Sequence, residues 1–259
     1  MPKPIAIGPP RDWRVAKQPQ RSTLHRQAEL NQQKQCRICS KPRAGISNYC
    51  APHRDTKSLR GDPLARLPKA NELKILFHAA DLFLKANPTR AKEVSINLRH
   101  LERTKTPPRS HCLRYGDMHS KLPQAAKAQG ALANYIHKQG KTYTDAVNHA
   151  LVLKAWVSIY FDGLSENRRG FLETAAGGIV GNIRMPPMGR SKGRTKKLSG
   201  AAKRRLGRQL LQHTTEAYGP TFWDSEVTCA DGSQMTLQQY AKLALRVAGL
   251  YPHKETLND

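Results

Sequence analysis

Acidic side chains are scarce in this chain: 19 Asp and Glu face 44 Lys and Arg, a formal charge of +25. Self-repulsion at that charge opposes compaction, so a polyanionic partner is expected. Nucleic acid fits best, because its phosphates are densely spaced and release counterions when neutralised. Aromatic residues are also few, at 6%. That argues against a stacking platform for single strands, which needs aromatic rings interleaved along a basic groove. No run of 18 uncharged apolar residues occurs, which excludes a membrane-spanning helix on length. Met1 to Pro10 holds no apolar segment of signal-peptide type. Cysteine is sparse and odd in number, five in all. Such usage fits a reducing compartment with metal-bound thiolates better than a disulfide scaffold, so a cytoplasmic location is expected.

Four metal-ligand residues fall at a telling spacing. Cys36 and Cys39 are separated by two residues, and after ten intervening residues so are Cys50 and His53. A two-residue spacer lets both side chains of a pair turn toward one point, and two such pairs can enclose a tetrahedral ion. Zinc is the default metal for a thiolate-rich site of this kind. Four protein ligands leave no open position, so the expected role is structural. A redox Cys-x-x-Cys is the competing reading, but it leaves Cys50 and His53 unexplained. Cys112 and Cys229 lie far away in sequence and are expected to be buried free thiols.

The run Cys36-Arg-Ile-Cys39 to Tyr49-Cys50-Ala-Pro-His53, followed by Arg60-Gly61-Asp62-Pro63, resembles the small zinc-knuckle modules of phage and mobile-element proteins, among them relatives of HNH homing endonucleases. The resemblance covers about 28 residues. It implies a nucleic-acid-associated zinc protein of a bacterial mobile element or phage. The later run Val227-Thr-Cys-Ala-Asp-Gly232 with Thr236-Leu-Gln-Gln-Tyr-Ala241 is similar to the hairpin-plus-helix DNA-binding repeats attached to some of those nucleases. In those repeats a recognition helix follows, whereas here only residues 250–259 follow Gly249.

Two basic groups are the expected nucleic-acid contacts. Arg37, Lys41, Arg43, Arg54, Lys57 and Arg60 surround the zinc ligands. Arg190, Lys192, Arg194, Lys196, Lys197, Lys203, Arg204, Arg205 and Arg208 place nine cations in 19 residues with no acid among them. A flexible arm can lie along phosphates while a basic helix crosses a groove. Phosphate contacts position a protein without reading sequence, and nothing here identifies a base-reading residue. With aromatics so few, duplex is favoured over single strands; the partner expected is nucleic acid, with DNA placed ahead of RNA although no residue here distinguishes them.

The fold class expected is mainly α. The expected division is a disordered basic arm at 1–21, a zinc-binding module at 22–66, a helical core domain at 67–183, a basic linker at 184–200, and a C-terminal helical segment with room for a hairpin at 201–259. Leu73, Leu76, Phe77, Ala80, Phe83 and Leu84 recur at helical spacing. Pro88 suits the first turn of the next helix, whose apolar line is Ala91, Val94, Leu98 and Leu101. From Ala150 to Phe161 only Lys154 and Ser158 are polar, so this is the expected buried core helix, capped by Thr144. A further helix is expected to stop at Gly177-Gly178, and Ser199 to cap the basic helix after it. Asp231-Gly232 favours a tight hairpin turn, and Thr236 with Gln239 has the form of a capping box.

Catalysis is not expected. Walker, GxSxG and GxGxxG motifs are absent. An HNH-type nuclease needs a general-base His, usually in an Asp-His pair, and none occurs; Asp117-x-His119 and Asn148-His149 come nearest. The alternatives kept open are a diverged metal-dependent nuclease or recombination factor, and a basic structural subunit of a larger nucleoprotein complex.

Overall fold

A computed structural model of the chain describes residues 26, 28–30, 32–64, 66–113, 122–160, 168–180, 182–184, 195–229 and 232–251. It forms two compact units, 1–57 and 58–259. The expected basic arm at 1–21 lies outside the described residues.

In the first unit the chain folds back on itself between Lys34 and Arg43. Gln35 and Pro42 form an antiparallel bridge. The Cys36 N–H donates to the Lys41 carbonyl (2.9 Å) and the Arg43 N–H to the Lys34 carbonyl (3.0 Å). Gly45, at φ +58°, makes the next reversal in the left-handed region that glycine enters without steric cost. Helix α1, Ala51–Arg60, starts directly after Cys50. Among the described residues apolar packing is thin: Cys36, Tyr49 and Cys50 are buried, with Ile38 and Cys39 against them. A cluster that small cannot by itself hold a module of this size, which at such lengths needs a metal or a covalent staple.

Among the described residues the second unit holds seven further α-helices: α2 Ala70–Ala86, α3 Pro88–Lys105, α4 Gln124–Gln139, α5 Tyr143–Tyr160, α6 Arg168–Val180, α7 Gly200–Tyr218 and α8 Leu237–Val247. The expected stripes are realised. Leu76, Ala80 and Phe83 of α2 and Val94 and Leu101 of α3 are buried, and Pro88 opens α3. Helix α5 is the core helix, with Tyr143, Val147, Ala150 and Trp156 at 0% exposure. It packs against α2, α3, α6 and α7. Its start is braced by Thr142, which exchanges hydrogen bonds with Asp145 (2.9 Å each way). Thr144 instead donates to Glu102 of α3, so the capping residue lies two positions earlier than the sequence suggests.

One carboxylate sits inside this core. Glu72 is 1% exposed and collects five donors. Arg66 binds it through both terminal nitrogens (2.8 and 3.0 Å), with the Lys69 N–H at 2.7 Å, Trp156 Nε1 at 3.0 Å and the Tyr160 hydroxyl at 3.1 Å. Burial opposes its charge, but these donors outweigh burial and hold its pKa below the ordinary carboxylate value. Arg66 also lies over the Trp156 and Tyr160 rings at 4.9 and 4.3 Å.

Two expectations are corrected. Gly177-Gly178 does not stop a helix, since α6 continues to Val180. A Cβ at Gly177 would stand 1.9 Å from the Lys203 carbonyl oxygen, and one at Gly207 would stand 1.8 Å from that of Glu173. Glycine is therefore present so that the α6 and α7 backbones can touch. The segment 184–200 is not a plain linker. Strand β1, Asn182–Arg184, pairs antiparallel with β2, Thr195–Lys197. The Pro and Gly residues that suggest a linker, Pro186, Pro187, Gly189 and Gly193, all lie between the paired strands. This hairpin and the α6–α7 contact close 58–259 into one unit, where the sequence suggests a break between 183 and 201.

Near the end, β3, Glu226–Thr228, and β4, Gln234–Thr236, form the expected hairpin. The Thr236–Gln239 capping box opens α8 as expected, and Gly249, at φ +66°, follows its last turn. No described helix is long and apolar enough to cross a membrane.

Candidate metal centre and basic surfaces

The fold-back at 34–43 puts Cys36 and Cys39 on one short loop, while Cys50 and His53 stand just before and within the first turn of α1. Their ligand atoms converge. His53 Nδ1 lies 3.5 Å from Cys36 Sγ, 3.6 Å from Cys39 Sγ and 3.2 Å from Cys50 Sγ, and Cys39 Sγ lies 3.7 Å from Cys50 Sγ. All four atoms fall within 4.8 Å of one another. For a tetrahedral ion with metal–sulfur bonds of about 2.3 Å and metal–nitrogen bonds of about 2.0 Å, geometry requires sulfur–sulfur edges of about 3.8 Å and sulfur–nitrogen edges of about 3.5 Å. The four edges given lie within about 0.3 Å of that polyhedron, so the four residues could hold a metal ion.

The electrostatics suit thiolates in part. Burial disfavours charge on Cys36, but backbone N–H groups of Cys50, Ile38 and Cys39, with the His53 ring, outweigh it and bring the thiol down to about 6. The Ile38 N–H points at Cys36 Sγ from 3.4 Å. At Cys50 the His53 N–H works in the same direction, yet burial and the adjacent Cys39 and Cys36 sulfurs prevail and raise its pKa. One thiolate thus forms readily, and crowding of sulfurs resists the next until a cation stands between them.

The basic residues around this centre divide into two kinds. Arg43 braces the loop, giving Nε to the Gln35 carbonyl (2.8 Å) and Nη1 to Asn48 Oδ1 (3.1 Å). Lys57 lies over the Tyr49 ring at 4.4 Å and donates to its hydroxyl. Arg54 pairs with Asp55 at 3.1 Å. Arg37 and Lys41 are exposed and have no side-chain partner among the described residues. Arg60, at the end of α1, belongs to the second unit.

In that unit Ser199 caps α7, its hydroxyl accepting from the Ala202 N–H (3.2 Å). Arg204 and Arg205 are exposed along this helix, and Lys203 is half-buried. Arg208 is committed to an ion pair. Its Nε and Nη2 reach Glu173 at 3.0 and 3.1 Å, and Arg169 reaches the same carboxylate at 3.1 Å. Two guanidinium groups thus share one carboxylate, and the trio keeps a net +1. Hydrogen bonds from Arg208, ahead of the cost of burial, hold the Glu173 pKa down. Arg169, one turn before Glu173 on α6, adds to this basic face, and no signal in the sequence marks it, because the carboxylate it shares with Arg208 joins α6 to α7. Lys196 and Lys197 fall on β2, while Arg190, Lys192 and Arg194 lie outside the described residues.

Cys112 and Cys229 are free, as expected, but half-buried rather than buried. His119 lies outside the described residues. The His149 ring contacts Phe77 edge-on at 4.9 Å, and its Nδ1–H donates to the Asp145 carbonyl (3.0 Å). Among the described residues, the one group of metal-ligand side chains is Cys36, Cys39, Cys50 and His53. Comparison with known protein families, curated proteins and solved structures finds no match for this chain.

Proposed function

We propose that this chain is a zinc-organised nucleic-acid-binding protein, with DNA favoured over RNA as its partner. One structural zinc ion, held by Cys36, Cys39, Cys50 and His53, fixes the N-terminal module, and basic side chains on that module and on α7 grip phosphates. The observation that carries the reading is the near-tetrahedral set of three sulfurs and one nitrogen in a chain with 25 more cations than anions. Three sulfurs select zinc over the harder divalent ions. With so small an apolar cluster in the module, metal binding supplies the folding free energy, about 10–16 kcal/mol in comparable peptides. Arg37, Lys41, Arg204 and Arg205 are exposed and are the first candidates for phosphate contact. Arg43, Lys57 and Arg208 act chiefly within the fold, although Arg208 remains 66% exposed while paired.

Fluorescence anisotropy with labelled DNA and RNA duplexes over a salt series tests this. The log–log slope of affinity against salt reports the phosphates neutralised, about 0.9 per contact on B-DNA. Replacing Arg204 and Arg205 together by Gln is expected to lower that slope by about 2 and to weaken binding to all sequences alike. Absence of binding to either duplex at low salt would overturn the proposal.

A further inference from the structure

Helix α3 divides its polar side chains between the fold and the solvent. Arg90 bonds Glu93 (3.1 Å) and donates to the Tyr218 carbonyl of α7, and Asn97 donates to that of Ala217 (3.3 Å). Glu102 accepts from the Tyr143 and Thr144 N–H groups (3.2 and 3.1 Å) and from the Thr144 hydroxyl, at the start of α5. Glu93 and Glu102 are the acids of this helix, so both are committed.

Lys92, Arg99 and Arg103 are not committed. All three are exposed and take no partner among the described residues. Around a helix of about 3.6 residues per turn they fall within about 40° of one another, with Arg90 on the far side. From Lys92 to Arg103 the row runs about 16 Å, at about 1.5 Å per residue. The helix dipole favours cations in the last turn, which accounts for Arg103, but it opposes them toward the N-terminus. Helix α3 has no acid in its first turn, so Lys92 has no local compensation, and helix stability does not explain the row.

The row fits a polyanion with closely spaced charges. A DNA duplex carries one negative charge per about 1.7 Å of its axis, and a guanidinium matches two phosphate oxygens at once. A lipid surface fits worse. A helix lying in a membrane interface inserts an apolar face, whereas Val94, Leu98 and Leu101 pack into the core. A protein partner would need an apolar centre to its interface, and the large apolar residue exposed on this face is Ile96 alone. We infer that the outer face of α3, through Lys92, Arg99 and Arg103, is a further phosphate-contact surface that grips the backbone of a nucleic-acid duplex. It rests on the nucleic-acid reading above but uses none of the residues named there.

Duplex anisotropy over a salt series, on the full chain, tests it. Lys92→Gln, Arg99→Gln and Arg103→Gln together, with Arg204 and Arg205 intact, are expected to lower the log–log slope by about 2.7, at about 0.9 per phosphate contact. Arg99→Lys with Arg103→Lys keeps both charges and is expected to keep the slope. The unaltered chain gives a second readout that no folding defect can disturb. Bound duplex is expected to protect Arg99 and Arg103 from phenylglyoxal, read by mass spectrometry, while Arg90, tied to Glu93 and Tyr218, reacts equally with and without it. An unchanged slope in the folded Gln variant, or no protection of Arg99 and Arg103 in a chain that does bind duplex, would overturn the inference and leave the nucleic-acid reading standing. No duplex binding by the unaltered chain would overturn both. Binding to phosphatidylglycerol vesicles that the Gln variant loses, while its duplex slope holds, would give the face to lipid and overturn the inference.

Discussion

The adjacent glycines of α6 should respond to the same substitution with opposite signs. In Gly177→Ala the new methyl carbon would stand 1.9 Å from the Lys203 carbonyl oxygen. The obstacle is backbone of α7, so no rotamer change relieves it and the two helices must separate. Overpacking a tight core costs about 1–3 kcal/mol, and a rigid backbone obstacle belongs at or beyond the upper end. Against this stands a gain of about 1 kcal/mol in helix propensity. The expected net loss is about 2–3 kcal/mol. In a unit of this size 1 kcal/mol moves Tm by about 2–4 °C, so Tm should fall by about 4–12 °C. Gly178→Ala meets open space and keeps only the propensity gain, so Tm should hold or rise by up to about 4 °C. Trp156 and Trp223 are both buried in this unit, so fluorescence alongside circular dichroism reads the transition. If Gly177→Ala proved as stable as the parent, the claim of backbone contact between α6 and α7 would be wrong.

Three other outcomes follow from the same contacts. Cys39→Ser removes one of four converging ligand atoms; it should abolish metal retention and open amide exchange at Cys36 and Arg43, while the Trp fluorescence of the second unit stays native. Arg66→Met leaves the buried Glu72 carboxylate without its counter-charge; breaking a buried pair costs about 3–5 kcal/mol, and since Arg66 is 41% exposed the expected loss in urea unfolding is nearer about 2–3 kcal/mol, with a neutral effect excluding the role given to this pair. Acid should destabilise the second unit in two stages. Burial lowers the His213 pKa from 6.5, so the unfolded chain takes up that proton first and stability declines as pH falls below about 6.5. Glu72 and Glu173 are held below 4.5 in the fold, so a further loss follows below about pH 4.5; urea midpoints unchanged between pH 7 and 5 would refute the first stage.

Much of this architecture is legible locally. The nearly uninterrupted apolar run of α5, the proline at the start of α3 and the Thr236–Gln239 box each carry their own structural instruction within one or two turns. The Cys/His set is legible for the same reason, as both pairs use short fixed spacers. What escapes is decided by partners distant in sequence. Gly177-Gly178 looks like a stop signal because glycine ends helices locally, and only the approach of Lys203, 26 residues on, reveals its packing role. The strands at 182–184 and 195–197 are three residues each, too short for an alternating pattern to stand out beside the Pro and Gly between them. Glu72 reads as an ordinary first-turn acid until Trp156 and Tyr160 close over it from α5. Arg208 reads as one more basic residue of the arm until Glu173, 35 residues earlier, takes two of its three nitrogens.

The proposed function requires one structural zinc ion held by Cys36, Cys39, Cys50 and His53. Metal analysis of the purified chain, joined to X-ray absorption at the zinc edge, tests it most directly. One zinc per chain is expected, with three sulfur neighbours at about 2.3 Å and one nitrogen at about 2.0 Å, lost together with the fold of the N-terminal module on chelation. A folded N-terminal module that binds no zinc when zinc is supplied, or a zinc shell of oxygens, would contradict it.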